Sequence, residues 1–292
     1  MKKKKKEPMQ YLLIGTGTAF FLIMLVFPLA EVIFRSLKDG LSVYSSAIIA
    51  ENTLSALKVT LIATVFAVLV NTFFGLCSAW LLTRFEFRGR QALSALIDIP
   101  FSVSPVIAGL AYIMTFGRMG WAAPFIRWLN DLLGTDIALV FSVPGVVLAT
   151  IFVTFPFVSR ELIPVLQTHG TAEEEAAVMF GAKGGYIFRK VTLPHIKWAL
   201  LYGIILCAAR AFGEFGAVYA VSRARGKTFT LPLEIDALYM TGSAESITQA
   251  FAVSSLLVLL SVIMLIIKQV VETVSRNRLK VQAQQKEDKP CM

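Results

Sequence analysis

Six stretches of this sequence stay apolar for some twenty residues or more, at 11–34, 57–82, 92–116, 137–157, 198–221 and 247–271. An α-helix needs about 20 apolar residues to cross the hydrocarbon of a bilayer, where it satisfies its own backbone donors and acceptors. Runs of that length leave little chain for anything else. Composition agrees: 56% of the residues are hydrophobic, 16% are charged and the mean hydropathy is +0.70, against about 45–50% apolar and about 25% charged in a soluble domain. A water-facing globule is excluded. The sequence predicts an all-α integral membrane protein of about six transmembrane helices, with residues 11–271 as the membrane domain, a basic segment at 1–10 and a polar, frayed tail at 272–292. The first run follows Lys2 to Lys6 but exceeds the roughly 7–15 residues of a signal-peptide core and lacks a small-residue cleavage site, so it reads as an uncleaved span.

The net charge of +9 comes from 28 Lys and Arg against 19 Asp and Glu. These cations form no single patch of the kind nucleic acid requires, and lie instead between the apolar runs. Counted by side, nineteen fall with the N-terminus and eight on the opposite side, with Arg210 inside a run. Basic residues concentrate on the cytoplasmic side, so both ends are predicted cytoplasmic. Cys77 and Cys207 fall inside runs and are expected as buried thiols, while Cys291 lies in the tail. His169 and His195 have no partner at metal-ligand spacing, so no metal and no cofactor are expected on this chain.

The connection at about 158–197 is too long and too patterned for a turn. Thr171 with Glu174 three residues on spells a capping box, and Glu173 to Glu175 complement a helix N-terminus. Gly181 offers one helix stop and Pro194 a second, which predicts short helices at 172–180 and 186–191. Small Ala176 and Ala177, with Phe180 as an anchor and Gly181 to turn the chain, have the make-up of a docking knob.

That loop resembles a known one. Glu175-Ala176-Ala177, three residues, Gly181, nine residues and then Val191-Thr192-Leu193-Pro194 matches the EAA loop of permease subunits in bacterial ABC importers, with Val191 in place of the usual Ile. The stretches 83–90, 98–109, 152–162 and 209–217 resemble sulfate/thiosulfate permeases of the CysW type, and molybdate permeases are similar over the same regions. The resemblance implies a type I ABC importer permease fold in a bacterial inner membrane. It also implies coupling to an ATPase through Glu175, Ala176, Ala177, Phe180, Gly181, Leu193 and Pro194. The implied partners are a sister permease of the CysT type forming a heterodimer, two ATP-binding subunits that hold ATP and Mg, an external sulfate/thiosulfate-binding protein, and membrane lipid. The chain itself would catalyse nothing.

Within the runs, Arg210 and Glu214 lie four apart, which on one helix allows mutual neutralisation. A structural ion pair and a place on an anion pathway are both open readings. Ala209, Gly213 and Ala217 spell a stripe for close helix approach. Ser102 and Ser104, between Pro100 and Pro105, are expected to repair a kink or to face a passing oxyanion. Asp98 is expected to pair with Arg88 or Arg90. Gly226-Lys227-Thr228 lacks the upstream Gly of a phosphate loop, since Val221 stands there, so ATP belongs to another chain. An ion-gradient-driven carrier or a channel is the alternative class, but neither has a reason to carry an EAA loop. A membrane-embedded enzyme is weaker still, since the spans hold no paired carboxylates, metal set or nucleophile with a base.

Overall fold

The computed structural model describes residues 8–136 and 138–287. The basic Lys2 to Lys6, Ile137 at the start of the fourth run, Lys289 and Cys291 lie outside the described residues. Twelve helical elements follow one another: α1 (Tyr11–Ser36), α2 (Leu41–Ile49), α3 (Glu51–Arg84), α4 (Arg90–Ser102), α5 (Pro105–Phe116), α6 (Ala123–Leu133), α7 (Val143–His169), α8 (Ala172–Met179), α9 (Gly184–Phe212), α10 (Gly216–Val221), α11 (Leu231–Thr241) and α12 (Ala244–Glu287). No strand occurs among the described residues. Helices α1, α3, α7, α9 and the first 31 residues of α12 are each long and apolar enough to span a membrane, and the bent pair α4 and α5 makes a sixth candidate.

Several expectations change at this level. The third run is not straight: α4 and α5 meet at 110°, because Pro105 lacks an N–H and holds Ser104 extended at φ −57 and ψ 131. The fifth run also breaks, with α9 ending at Phe212 and α10 restarting at Gly216. The connection expected at about 158–197 shrinks, since α7 continues to His169 and α9 begins at Gly184. Polar residues that looked like loop are helix extensions. Pro194 stops nothing, because it falls in the first turn after the π-segment Phe188–Thr192, where a missing N–H is tolerated, and the helix runs on to Phe212. Nor is the described part of the tail frayed: α12 stays helical through Glu287, over a Gln-, Lys- and Glu-rich stretch of good helix formers.

Contacts define two ends of the bundle. At one, Ser55 of α3 donates to the Gly226 carbonyl at 2.6 Å, Thr248 of α12 to Asp39 at 2.6 Å, and the Phe141 N–H to the Val221 carbonyl at 2.9 Å. At the other, the C-terminal ends of α3 and α7 meet α8 and the start of α9. Between them α7 is the central helix, half of its apolar window being buried, while α1 buries none of its own. Val59 and Ala63 of α3, Val146 and Val153 of α7, Val218 of α10 and Leu233 of α11 form one core cluster; Ala79, Val158, Leu162, Leu166, Ile196 and Cys207 form a second.

Backbone approach at glycine locks the bent pair in place. A Cβ on Gly109 of α5 would lie 2.6 Å from the Ala217 carbonyl oxygen of α10, so only glycine lets these helices touch. The expected stripe of Ala209, Gly213 and Ala217 does not form: the helix break separates them, Ala209 is exposed and Gly213 meets nothing within 4 Å. Cys207 is buried as expected, whereas Cys77 is exposed on the outer face of α3.

Candidate coupling site and intramembrane charges

Helix α8 projects from the bundle, and none of its residues is buried. It ends as the glycine predicts: Gly181 adopts φ +78, its N–H bonds the Val178 carbonyl at 2.8 Å, and the Ala182 N–H bonds the Ala177 carbonyl at 3.1 Å. These are the two bonds of a Schellman stop. At the tip Val178, Met179 and Phe180 are exposed, Phe180 by 92%. Glu175 and Ala176 are exposed beside them and Ala177 is half-buried. Leu193 and Pro194 are not part of this knob. Leu193 packs into the core cluster around Leu162 and Ile196, and Pro194 lies in the first turn after the π-segment.

The capping box expected at Thr171 and Glu174 is absent. The Thr171 hydroxyl donates to Glu175 at 2.6 Å, and Glu174 turns inward instead. There it meets Arg84, from the last turn of α3, side-on: Nε lies 2.9 Å from Oε2 and Nη2 donates to Oε1 at 3.0 Å. Arg84 Nη1 also donates to the Leu166 carbonyl of α7 at 3.1 Å, and the Thr192 hydroxyl of α9 donates to Glu174 Oε1 at 2.7 Å. The Arg84 and Glu174 side chains are only 8% and 16% exposed. Beside this cluster His169 and His195 stack with centroids 4.8 Å apart, and His195 lies 3.4 Å from the exposed Glu173. Sequence reading missed Arg84 and Thr192, which lie 90 and 18 residues from Glu174. The one signal available was an Arg ending an apolar run on the same predicted side as the loop.

Arg210 and Glu214 do pair, at 2.8 Å between Nη1 and Oε2, but across the break between α9 and α10 rather than along one helix face. Arg210 sits in the last turn of α9, where a cation is favourable, and Glu214 precedes α10. Glu214 Oε1 accepts the Ala217 N–H at 2.8 Å. Glu214 is 1% exposed while the Arg210 side chain is 34% exposed, so the pair presents its cationic half. Ser102 and Ser104 are exposed on either side of the elbow at Val103, and neither caps its helix end. The expected repair of the kink by these hydroxyls does not occur. Asp98 pairs with Arg160 of α7 at 2.9 Å, not with Arg88 or Arg90, because α4 packs along α7, where the Arg160 guanidinium also covers the Phe101 ring.

Two further polar features escaped the sequence reading. Asn71 of α3, fully buried, donates to the Ile151 carbonyl at 3.2 Å and to Thr154 at 2.8 Å, joining α3 to α7 inside the apolar core. Arg225 grips the buried Glu234 with bonds of 2.7 to 3.2 Å, which hold the guanidinium pKa above its ordinary value. That pair closes the loop between α10 and α11, where Lys227 and Thr228 form a turn rather than a phosphate cradle.

Residues 71–276 match the family described as the binding-protein-dependent transport system inner membrane component. The chain is 43% identical over 270 residues to a sulfate transport system permease protein CysW of Synechocystis sp., covering 92% of this chain and 94% of that one. It is 43% identical over 279 residues to the protein of the same name from Escherichia coli K12, covering 95% and 92%. In fold it is similar to a crystal structure of a bacterial ABC transporter involved in import of the acidic polysaccharide alginate, with a TM-score of 0.74 at 17% identity over 92% of this chain and 95% of that one.

Proposed function

Because the chain belongs to the family of binding-protein-dependent transport system inner membrane components, we propose that it is the sulfate-conducting permease subunit of an ATP-driven importer. The observation that carries this reading is the α8 knob, an exposed apolar tip on a helix closed by the Gly181 turn, whose base is tied to three span ends. Such a tip has no use to a self-sufficient carrier. It fits a cleft on a separate ATP-hydrolysing subunit, with Ala176 and Ala177 allowing close approach and Phe180 as the anchor. Sulfate is the anion supported by 43% identity along nearly the whole length of permeases named for sulfate transport, and thiosulfate, of like charge and shape, belongs to the same reading.

In this reading a binding protein delivers the anion to the end of the bundle that carries Arg223, Arg225 and Lys227, and the α8 end faces the cytoplasm. The chain supplies half of the passage, and a second permease of similar fold supplies the other half. ATP and Mg stay on the ATPase subunits. The elbow at Ser102 to Ser104 belongs at the passage or against the sister permease, because non-helical backbone and free hydroxyls facing lipid leave polar groups unsatisfied. The half-buried guanidinium of Arg210 gives the anion a weak attraction, attenuated by Glu214 so that release stays fast.

The test is radiolabelled sulfate uptake in cells lacking their own sulfate importer, supplied with this chain and its candidate partners, with excess unlabelled molybdate as competitor. Uptake that depends on this chain and resists molybdate is the expected result. Molybdate uptake in its place would keep the permease and reassign the anion.

A further inference from the structure

A knob that docks an ATPase must move the spans, yet the backbone around α8 is a poor lever. It joins α7 through Gly170 at φ +64 and reaches α9 through Gly181 at φ +78. At neither glycine would a Cβ meet an atom within 4 Å, so neither connection is packed against the bundle, and the backbone bonds at Gly181 run back into α8 and not to a span. No side chain of α8 is buried to anchor it in the core. The stiff connection is Glu174. Its carboxylate accepts one hydrogen bond from Arg84 Nη2 of α3, with Arg84 Nε in ionic contact, and a second from Thr192 of α9, and Arg84 is itself bonded to the Leu166 carbonyl of α7. Two bonds from different spans to one carboxylate fix where it sits, and a largely buried charge-assisted bond is strong and little screened. The neighbouring contact of Glu173 with His195 cannot serve this way, because the Glu173 side chain is 70% exposed.

We propose that Arg84 and Thr192 are positioning residues that clasp Glu174 and form the rigid joint through which displacement of α8 reaches α3, α7 and α9 together. The proposal rests on the coupling role given to α8 above. The clasp depends on Arg84 at the end of α3, 90 residues outside the loop, and ties it to Thr192, which the loop motif contains without assigning it a role. Without it, α8 hangs from its two connections: the knob still docks and the ATPase still turns over, but the stroke is absorbed at Gly170 and in the short link 182–183 that follows the Gly181 stop. The signature is uncoupling rather than loss of assembly.

The test uses the full complex with its binding protein in liposomes, and reads sulfate imported per ATP hydrolysed. Glu174→Gln keeps the shape and an acceptor for Thr192 but loses the charge, and Thr192→Val removes one hydroxyl while leaving the ion pair. Both variants are expected to keep the ATP hydrolysis seen without binding protein, to lose its stimulation by binding protein, and to lose about five- to tenfold in sulfate per ATP, the lower range of typical couplings between sites, since coupling is reciprocal. An unchanged ratio, or uptake and unstimulated hydrolysis falling in parallel, would overturn the proposal by making the clasp neutral or merely structural. Should Glu174→Gln fail to assemble, Thr192→Val decides alone. Wild-type complex that hydrolyses ATP but imports no sulfate overturns the anion assignment instead, and the clasp is then scored on molybdate in the same liposomes.

Discussion

At the scale of single residues, the ion pair of Arg210 and Glu214 shows what spacing reveals and what it hides. Four residues of separation announced a pair, but not that a helix break runs between its members or that the carboxylate also caps α10. Removing Arg210 alone leaves a buried carboxylate unpaired, a change that costs about 3–5 kcal/mol and confounds any uptake assay. Arg210→Gln with Glu214→Gln avoids this, since the amide at 214 can still accept from Ala217. The double variant is expected at normal abundance in the membrane with a reduced initial rate of sulfate uptake; full uptake at normal abundance would remove Arg210 from the pathway. Glu174 taught the opposite lesson. Its spacing from Thr171 fits a local capping box, yet a guanidinium 90 residues away captures it. A charge-assisted, largely buried pair outweighs an exposed helix cap, and that competitor is invisible in a local window.

At the scale of elements, α8 was legible almost to the residue: expected at 172–180, it spans Ala172–Met179. Its stop depends on Gly181 at φ +78, with two backbone bonds that require the left-handed turn. A β-branched residue there pays about 1–2 kcal/mol in backbone strain and re-aims Phe180. Gly181→Val is therefore expected to lower transport-coupled ATP hydrolysis while leaving the spans folded, as read by hydrolysis with and without binding protein; unaltered hydrolysis and assembly would count against the knob. The bent pair was not legible to this degree. Pro100 and Pro105 marked a disturbance in the third run, but the 110° angle is set by partners remote in sequence, with Gly109 against Ala217 holding α5 and Arg160 with Phe157 holding α4. Hydropathy gives lengths, and directions come from packing.

At the scale of the molecule, that bent pair decides the topology. If α4 and α5 together cross the membrane, the chain has six spans and both of its ends share a side; if they re-enter, it has five and the ends are opposed. Packing favours crossing. Helix α4 lies beside the α8 half of α7, through Asp98 with Arg160 and Phe101 with Phe157, whereas α5 lies against α10 at the opposite end, through Gly109 and Ala217. The cations agree, because re-entry would move the Arg160 to Lys197 group and the tail away from Arg84, Arg88 and Arg90, leaving the basic residues almost evenly divided. Re-entry would also place α8 on the side of the membrane opposite to the C-terminus of α3, which contradicts the 3.0 Å bond of Arg84 to Glu174. Single cysteines on a background without Cys77, Cys207 and Cys291 test this directly in intact cells with a membrane-impermeant maleimide. Lys227→Cys is expected to label, while Met179→Cys and Lys286→Cys are expected to label only after the membrane is permeabilised. Labelling of Met179→Cys in intact cells would reverse the α8 end and sink the coupling role with it.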